Sequence, residues 1–156
     1  EYPKAYLALS LWKKELMARQ KGGIRKVDWY KWGRVQSMIP VDNKLLTKTF
    51  NRGPCFYHDS SDSLFSNGYA LKISNPQFLL DYVRTILNSK VFEKYAKLTS
   101  FEIQGGYQCY QKNFIERFCL PILPIANQIL VVNREIDANK MLMDYFDLKH
   151  DFITDE

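Results

Sequence analysis

The chain has 156 residues, of which 46% are hydrophobic and 25% are charged, and its formal net charge is +5. This is the composition of an ordinary globular protein, and the length predicts a single domain over residues 1–156. No apolar run approaches the roughly 20 residues of a membrane-spanning helix, which argues against a membrane protein.

The three cysteines are Cys55, Cys109 and Cys119, an odd number without a C-x-x-C pair. This pattern argues against a disulfide framework and against a zinc site, and it favours a cytoplasmic protein in a reducing environment. The chain opens at Glu1 rather than at Met, and we therefore expect it to be a fragment of a longer protein.

Charge is distributed unevenly along the chain. Residues 1–60 hold 12 Lys and Arg against 5 Asp and Glu, whereas residues 121–156 hold 3 against 7. A basic first part followed by an acidic tail is expected when one face binds a polyanion such as nucleic acid. A solvated basic helix without such a partner would give the same distribution.

The first predicted element is a helix from about residue 3 to about residue 20. Pro3 suits its first turn and the glycines at 22 and 23 suit its end. Apolar residues recur between them at helical spacing: Ala5, Leu9, Trp12 and Leu16. Residues 24–34, which follow, are basic and aromatic and show no clear periodicity.

Short strands are predicted next, over residues 44–50, 55–57 and 68–73, with turn and loop residues between them. Asn75 and Pro76 then predict the start of a helix that ends near Asn88. Further helical segments are predicted at about residues 90–97, 113–118 and 134–146. The mixture predicts an α+β fold in which short, mostly antiparallel strands pack with several helices.

The basic and aromatic segment after the first helix is the first candidate DNA-binding site. Lysine and arginine bind phosphate without regard to sequence, and arginine also recognises guanine. The candidate residues are Lys21, Arg25, Lys26, Lys31 and Arg34. The interleaved Trp29 and Trp32 are expected in the core rather than in a DNA groove.

The second candidate is the segment from Gly105 to Asn113, called the Gly-Gly tract below. Glycines permit close backbone approach, Gln and Asn amides pair with adenine, and flat aromatic rings stack on bases. The candidate residues are Gly105, Gly106, Tyr107, Gln108, Tyr110, Gln111, Lys112 and Asn113. The alternative is a structural hairpin with tyrosines packed beneath it, in which Asn113 caps the next helical turn.

Five motifs follow one another along the chain: Tyr2-Pro3-Lys4-Ala5-Tyr6-Leu7, Trp29-Tyr30-Lys31-Trp32-Gly33-Arg34-Val35-Gln36, Asn67-Gly68-Tyr69-Ala70, Leu87-Asn88-Ser89-Lys90, and the Gly-Gly tract continuing to Pro121. Together they resemble the C-terminal target-recognition (TaqI-like specificity) domain of adenine-specific DNA methyltransferases from restriction-modification systems. The resemblance implies a specificity-domain fold and a DNA-binding role that includes Gln36. It also implies two partners, double-stranded DNA and the methyltransferase domain of the same parent chain.

The catalytic half of that family has no counterpart here. The cofactor-binding glycine loop and the Asn/Asp-Pro-Pro-Tyr/Phe tetrapeptide do not occur, and Asn75-Pro76-Gln77-Phe78 lacks the second proline and is interpreted as a helix cap. We therefore expect no catalytic residue, no metal and no cofactor in this chain, which alone is not an enzyme. S-adenosylmethionine is expected in the catalytic domain of the parent.

Two other functions remain open. Leu-Asn-Ser also occurs in type I specificity subunits, so one alternative is a recognition domain of such a subunit. The other is a protein-interaction module that does not bind nucleic acid and docks through its Trp and Tyr side chains. The two histidines, His58 and His150, lie in polar surroundings and are expected at the surface.

Overall fold

The computed structural model describes residues 2–19, 29–31 and 40–154. Contacts between Cα atoms group the chain into two compact units, Glu1–Ile39 and Pro40–Glu156. The expectation of a single recognition domain over residues 1–156 stays a prediction beside this division.

In the first unit, two short helices replace the single helix predicted for residues 3–20. They are Pro3–Ser10 (α1) and Lys13–Ala18 (α2). The Ser10 hydroxyl donates to the Tyr6 carbonyl at 2.8 Å, and the Trp12 N–H donates to the Leu9 carbonyl at 3.0 Å, three residues back. Bonding of a serine to the preceding turn bends helices, and an i→i−3 bond tightens the last turn. The break at residues 11 and 12 follows from these two bonds.

The second unit contains two antiparallel three-stranded sheets. In chain order the strands are Lys44–Lys48 (β1), Phe50–Asn51 (β2), Tyr57–Asp59 (β3), Gly68–Leu71 (β4), Glu102–Ile103 (β5) and Tyr107–Cys109 (β6). The first sheet has the order β3-β1-β4 and the second has the order β2-β6-β5. Thr49 alone separates β1 from β2, so one extended stretch of chain joins the two sheets.

The helices of the second unit are Leu80–Leu87 (α3), Lys90–Thr99 (α4), Lys112–Ile115 (α5), Ile125–Val132 (α6) and Ala138–Tyr145 (α7), followed by a 3-10 helix at His150–Ile153. Within the described residues, seven α-helices and two small antiparallel sheets confirm the predicted α+β fold. The specificity-domain type of that fold stays a prediction.

The predicted start of α3 at Asn75 and Pro76 is wrong. Asn75 Oδ1 accepts the Gln77 N–H at 3.0 Å and the Asn75 carbonyl accepts the Phe78 N–H at 3.2 Å, so these residues form a turn. The helix begins at Leu80. Among the described residues, no neighbouring side chain caps the start of α3; instead Gln128 Oε1, from α6, accepts the N–H of the N-cap residue Leu79 at 2.9 Å.

Helix α6 is an element that the sequence analysis did not predict. It starts directly after Pro124, which occupies its N-cap position, where the missing N–H of proline costs nothing. Helix α7 begins at Ala138 rather than near residue 134, because Asp137 Oδ1 accepts the Lys140 N–H at 2.8 Å and caps the helix there.

The core of the second unit lies where the helices meet the two sheets. Phe92 of α4 is central to it, with ring centroids 5.6 Å from Phe56 and 5.0 Å from Phe118. Tyr82 of α3 donates its hydroxyl to the Pro121 carbonyl at 3.0 Å, and burial raises the pKa of Tyr82 to about 12. These contacts join α3 and α4 to the loop before β3 and to the loop after α5.

Candidate nucleic-acid interface

The Gly-Gly tract begins as a tight hairpin between β5 and β6. Gly105 and Gly106 in its turn have φ angles of 93° and 76°, the left-handed region that favours glycine. A Cβ built on Gly105 would lie 3.4 Å from the Tyr107 ring, an ordinary contact distance, so the backbone angle and not a lack of space favours glycine here. The backbone of the hairpin therefore requires the glycine pair, and both glycines are exposed to solvent.

Two of the candidate side chains face the core instead of solvent. Gln108 is 5% exposed, and its Nε2 donates to the Ala96 carbonyl at 3.2 Å and to Ser100 Oγ at 2.6 Å. Tyr110 is 1% exposed and packs on Phe92, with ring centroids 6.3 Å apart. The structural alternative thus describes these two residues, and neither offers an edge to a DNA partner.

The Tyr110 hydroxyl is buried and has no hydrogen-bond partner among the described residues. Burial, with the nearby Glu93 carboxylate as a second cause, raises the pKa of Tyr110 above its usual value. This hydroxyl therefore stays protonated, and we assign it no chemical role.

The solvent-accessible part of the tract consists of the turn, Tyr107 and the start of α5. Lys112 and Asn113 are exposed, and Gln111 is half-buried. Lys112 lies 3.7 Å from Glu116 Oε2, one turn along α5. Asn113 is the second residue of α5 and Gln111 is the N-cap residue, so the suggestion that Asn113 caps this turn is wrong.

Arg52 joins this surface from a different strand, and the sequence analysis did not single it out. Its guanidinium carbon Cζ lies 5.5 Å from the centroid of the Tyr107 ring. The cause is the register of β2 with β6, which pairs Phe50 with Cys109 and Asn51 with Gln108 and so brings the next residue beside Tyr107. No local sequence signal reports that contact, since Arg52 and Tyr107 are 55 positions apart.

Of the basic candidates in the first unit, the structure describes Lys31, which is exposed. Lys21, Arg25, Lys26, Arg34 and Gln36 lie outside the described residues. Trp29 is 5% exposed, as expected for a core residue. Arg19 Nη2 donates a hydrogen bond to the Trp29 carbonyl at 3.0 Å, and Lys13 Nζ lies 5.5 Å from the centroid of the Trp29 ring. Two cations of this unit therefore contact Trp29.

The motif at residues 87–90 builds the junction between α3 and α4. The Asn88 side chain accepts the Phe56 N–H at 2.8 Å and donates to the Phe56 carbonyl at 3.0 Å, as a neighbouring strand would. Ser89 Oγ accepts the Phe92 N–H at 3.1 Å and caps α4. This motif has a structural role, and it gives no direct evidence of a DNA contact.

His58 does not form a metal site with the other described residues. His58 is 29% exposed at its side chain, with Nε2 2.7 Å from Asn43 Oδ1 and Nδ1 3.4 Å from Asp81 Oδ1. Over residues 2–19, 29–31 and 40–154, no three His, Cys, Asp or Glu side chains converge as metal ligands would.

Comparison with models of protein families gives no match, and comparison with curated proteins gives none either. In the described ranges, none of the helices has the length and apolar character needed to cross a membrane. The methyltransferase resemblance therefore rests on the motifs of the sequence itself.

Proposed function

We propose that this chain is a DNA target-recognition domain of an adenine-specific DNA methyltransferase in a restriction-modification system. The observation that carries the proposal is the exposed glycine turn at Gly105 and Gly106, flanked by Tyr107 and by Lys112 and Asn113. A turn without side chains lets the backbone approach a bulky duplex, and the adjacent cation and amide supply phosphate and base contacts. The choice of this protein family rests on the ordered motifs of the sequence, which resemble those of the family.

In this proposal the chain contributes binding and discrimination, and it performs no chemistry. Methyl transfer from S-adenosylmethionine belongs to a catalytic domain elsewhere in the parent, into whose pocket the target adenine is flipped. The basic residues of the first unit supply sequence-independent affinity through phosphate contacts. The exposed residues of the Gly-Gly tract supply the contacts that distinguish one site from another.

A titration of the chain against fluorescein-labelled duplex DNA tests the proposal. We expect weak binding with little sequence preference, which falls steeply between about 50 and 200 mM salt, because phosphate contacts release counterions. Lys112→Ala should weaken binding, whereas Lys140→Ala, an exposed lysine of α7, should not. Absence of binding at low salt, or binding that salt leaves unchanged, contradicts the proposal.

A specific observation favours a second candidate, a protein-interaction module. The first unit carries an open apolar groove of about 680 Å³, lined by Tyr2, Tyr6, Leu7, Leu9 and Tyr30 among others. Exposed apolar surface of this kind is typical of protein docking sites. If the chain binds no DNA and instead binds a protein partner without dependence on salt, this candidate replaces the first.

A further inference from the structure

The second sheet has one face packed against α4. Side chains of cross-strand pairs lie on the same face, and Gln108 pairs with Asn51 on one side and with Glu102 on the other. Because the Gln108 amide bonds to backbone and side-chain atoms at the end of α4, this is the inner face. Glu102, an exposed residue of the edge strand β5, therefore leaves the sheet on this side and not on the opposite one.

The opposite face, called the open face below, is largely aromatic. Cys109 on it is fully buried and Phe50 is half-buried, whereas its other side chains are exposed. Its side chains form two rows that run across the three strands of the sheet and the residues next to them. One row contains Phe50, Cys109 and Phe101, and the other contains Arg52, Tyr107 and Ile103. Phe101, Ile103 and Tyr107 are between 38% and 49% exposed. Of the six side chains, Arg52 alone carries a permanent charge, so the open face is apolar with a single positive centre.

The position of Arg52 leaves its hydrogen-bonding groups available. A guanidinium that rests on an aromatic ring uses its flat face for that contact, whereas its N–H donors lie along its edges. Arg52 is exposed, so those edges meet solvent in the free chain. The backbone of Tyr107, in turn, is held by the strand pairing of β5 with β6.

We propose that Arg52, positioned by the Tyr107 ring, is a DNA-contacting residue of this domain and extends the recognition surface from the Gly-Gly tract onto β2. The inference rests on the proposed function and deepens it. The acceptor is a phosphate or the O6/N7 edge of guanine, since both offer paired oxygens or nitrogens to parallel N–H donors. The aromatic and aliphatic side chains of the open face then pack against the sugars and bases beside that contact.

The experiment compares Arg52→Ala, Arg52→Gln and Tyr107→Ala with Lys140→Ala in the full chain. Affinity for labelled duplexes is measured over a range of salt, and thermal unfolding is recorded for every variant. One duplex contains only A·T pairs, one contains G·C pairs, and a third has 7-deazaguanine in place of guanine. Arg52→Gln keeps most of the side chain without the charge, and it decides the question if Arg52→Ala fails to fold.

We expect Arg52→Gln and Arg52→Ala to weaken binding by about 5- to 150-fold, and Lys140→Ala to bind like the unmodified chain. Equal weakening on all three duplexes, with a salt slope shallower by about one, identifies phosphate as the acceptor. Weakening confined to the guanine duplex identifies the guanine edge. Tyr107→Ala should weaken binding in the same direction, because the guanidinium loses its support.

Two results separate this inference from the proposed function. If the unmodified chain binds no DNA, the proposed function fails. If the unmodified chain binds DNA and the folded Arg52 variants bind as tightly as Lys140→Ala, the proposed function stands and the role of Arg52 is overturned. In that case the Arg52–Tyr107 contact serves only to stabilise the hairpin.

Discussion

At the scale of single residues, Gly68 has the least room for a side chain among the glycines that the structure describes. It pairs with Lys48 across β4 and β1, and a Cβ built on it would overlap the backbone carbonyl oxygen of Thr47. Backbone cannot yield as a flexible side chain does. The strand would have to shift, and that shift would disturb the first sheet.

Replacement of this glycine therefore has a predicted cost. We expect Gly68→Ala to lower the free energy of unfolding by about 1–3 kcal/mol in urea titrations. Gly53→Ala is the matched control, because a Cβ at Gly53 meets nothing within 4 Å, and its effect should stay within about 0.5 kcal/mol. Equal unfolding midpoints for the two variants would show that β4 moves aside without cost.

Gln108 and Gln111 illustrate how burial separates two residues that look alike in sequence. Gln108→Ala should lower the free energy of unfolding by about 1–3 kcal/mol, because Ser100 and Ala96 lose a buried donor. Gln111→Ala should leave stability nearly unchanged and should alter DNA discrimination at one base position in the full-length parent. A Gln108→Ala variant that folds normally but relaxes discrimination would place this residue at the DNA after all.

At the scale of elements, a buried ion pair links two strands of the first sheet, β1 and β3. Lys44 of β1 is fully buried, with Nζ 2.9 Å from Asp59 Oδ2 of β3 and 2.8 Å from the Ser61 carbonyl. The Ser61 hydroxyl and N–H also donate to Asp59 Oδ1. The Ser61 hydroxyl first, and then the Lys44 ammonium, hold the pKa of Asp59 well below its usual value.

This arrangement makes the stability of the first sheet sensitive to acid. A carboxylate with a lowered pKa contributes stability that is present above its usual pKa of about 4 and is lost as the pH falls below it. We expect Asp59→Asn to be less stable than the unmodified chain at pH 7, because Lys44 is left buried without its counter-charge. The difference in urea midpoint should shrink as the pH is lowered from 5 towards 2. A difference that is constant over this range would contradict the assigned role of the ion pair.

Periodicity predicted the elements whose apolar stripe and local caps agree. The end of α3 near Asn88 and the start of α4 at Lys90 are such cases, since Ser89 caps α4 from an adjacent position. The start of α3 was misplaced because its partner, Gln128, lies 49 positions away. Distant partners of this kind leave no local signal, and the same reason explains why Asn88 could not be recognised as the partner of Phe56.

The candidate site was predictable to the same limited extent. A glycine pair among aromatic and amide residues predicted an exposed turn, and the left-handed glycines are found there. Which side chains of the tract face outward depends on strand register, and one step of register moves a side chain to the other face. That is why Tyr107 is exposed and Gln108 buried, and why Arg52 was found only in the structure.

At the scale of the whole molecule, the core and the basic candidates of the first part of the chain belong to different units. Over residues 2–19, 29–31 and 40–154, every buried residue of the main hydrophobic cluster lies between Leu45 and Leu142, within the unit Pro40–Glu156. The basic candidates from Lys21 to Arg34 lie within the unit Glu1–Ile39. Stability and sequence-independent affinity should therefore be separable by truncation.

We predict that a chain of residues 40–156 unfolds cooperatively, with a urea midpoint close to that of the intact chain, because it keeps the whole cluster. Its DNA affinity should fall and its salt slope should become shallower by about 0.9 for each phosphate contact removed with the first unit. The remaining binding should still respond to Lys112→Ala, since the Gly-Gly tract is retained. If the truncated chain does not fold, the first unit contributes to stability through contacts that the core does not contain. If it folds and its salt slope is unchanged, the basic segment is a solvated surface, and the phosphate contacts lie in the second unit.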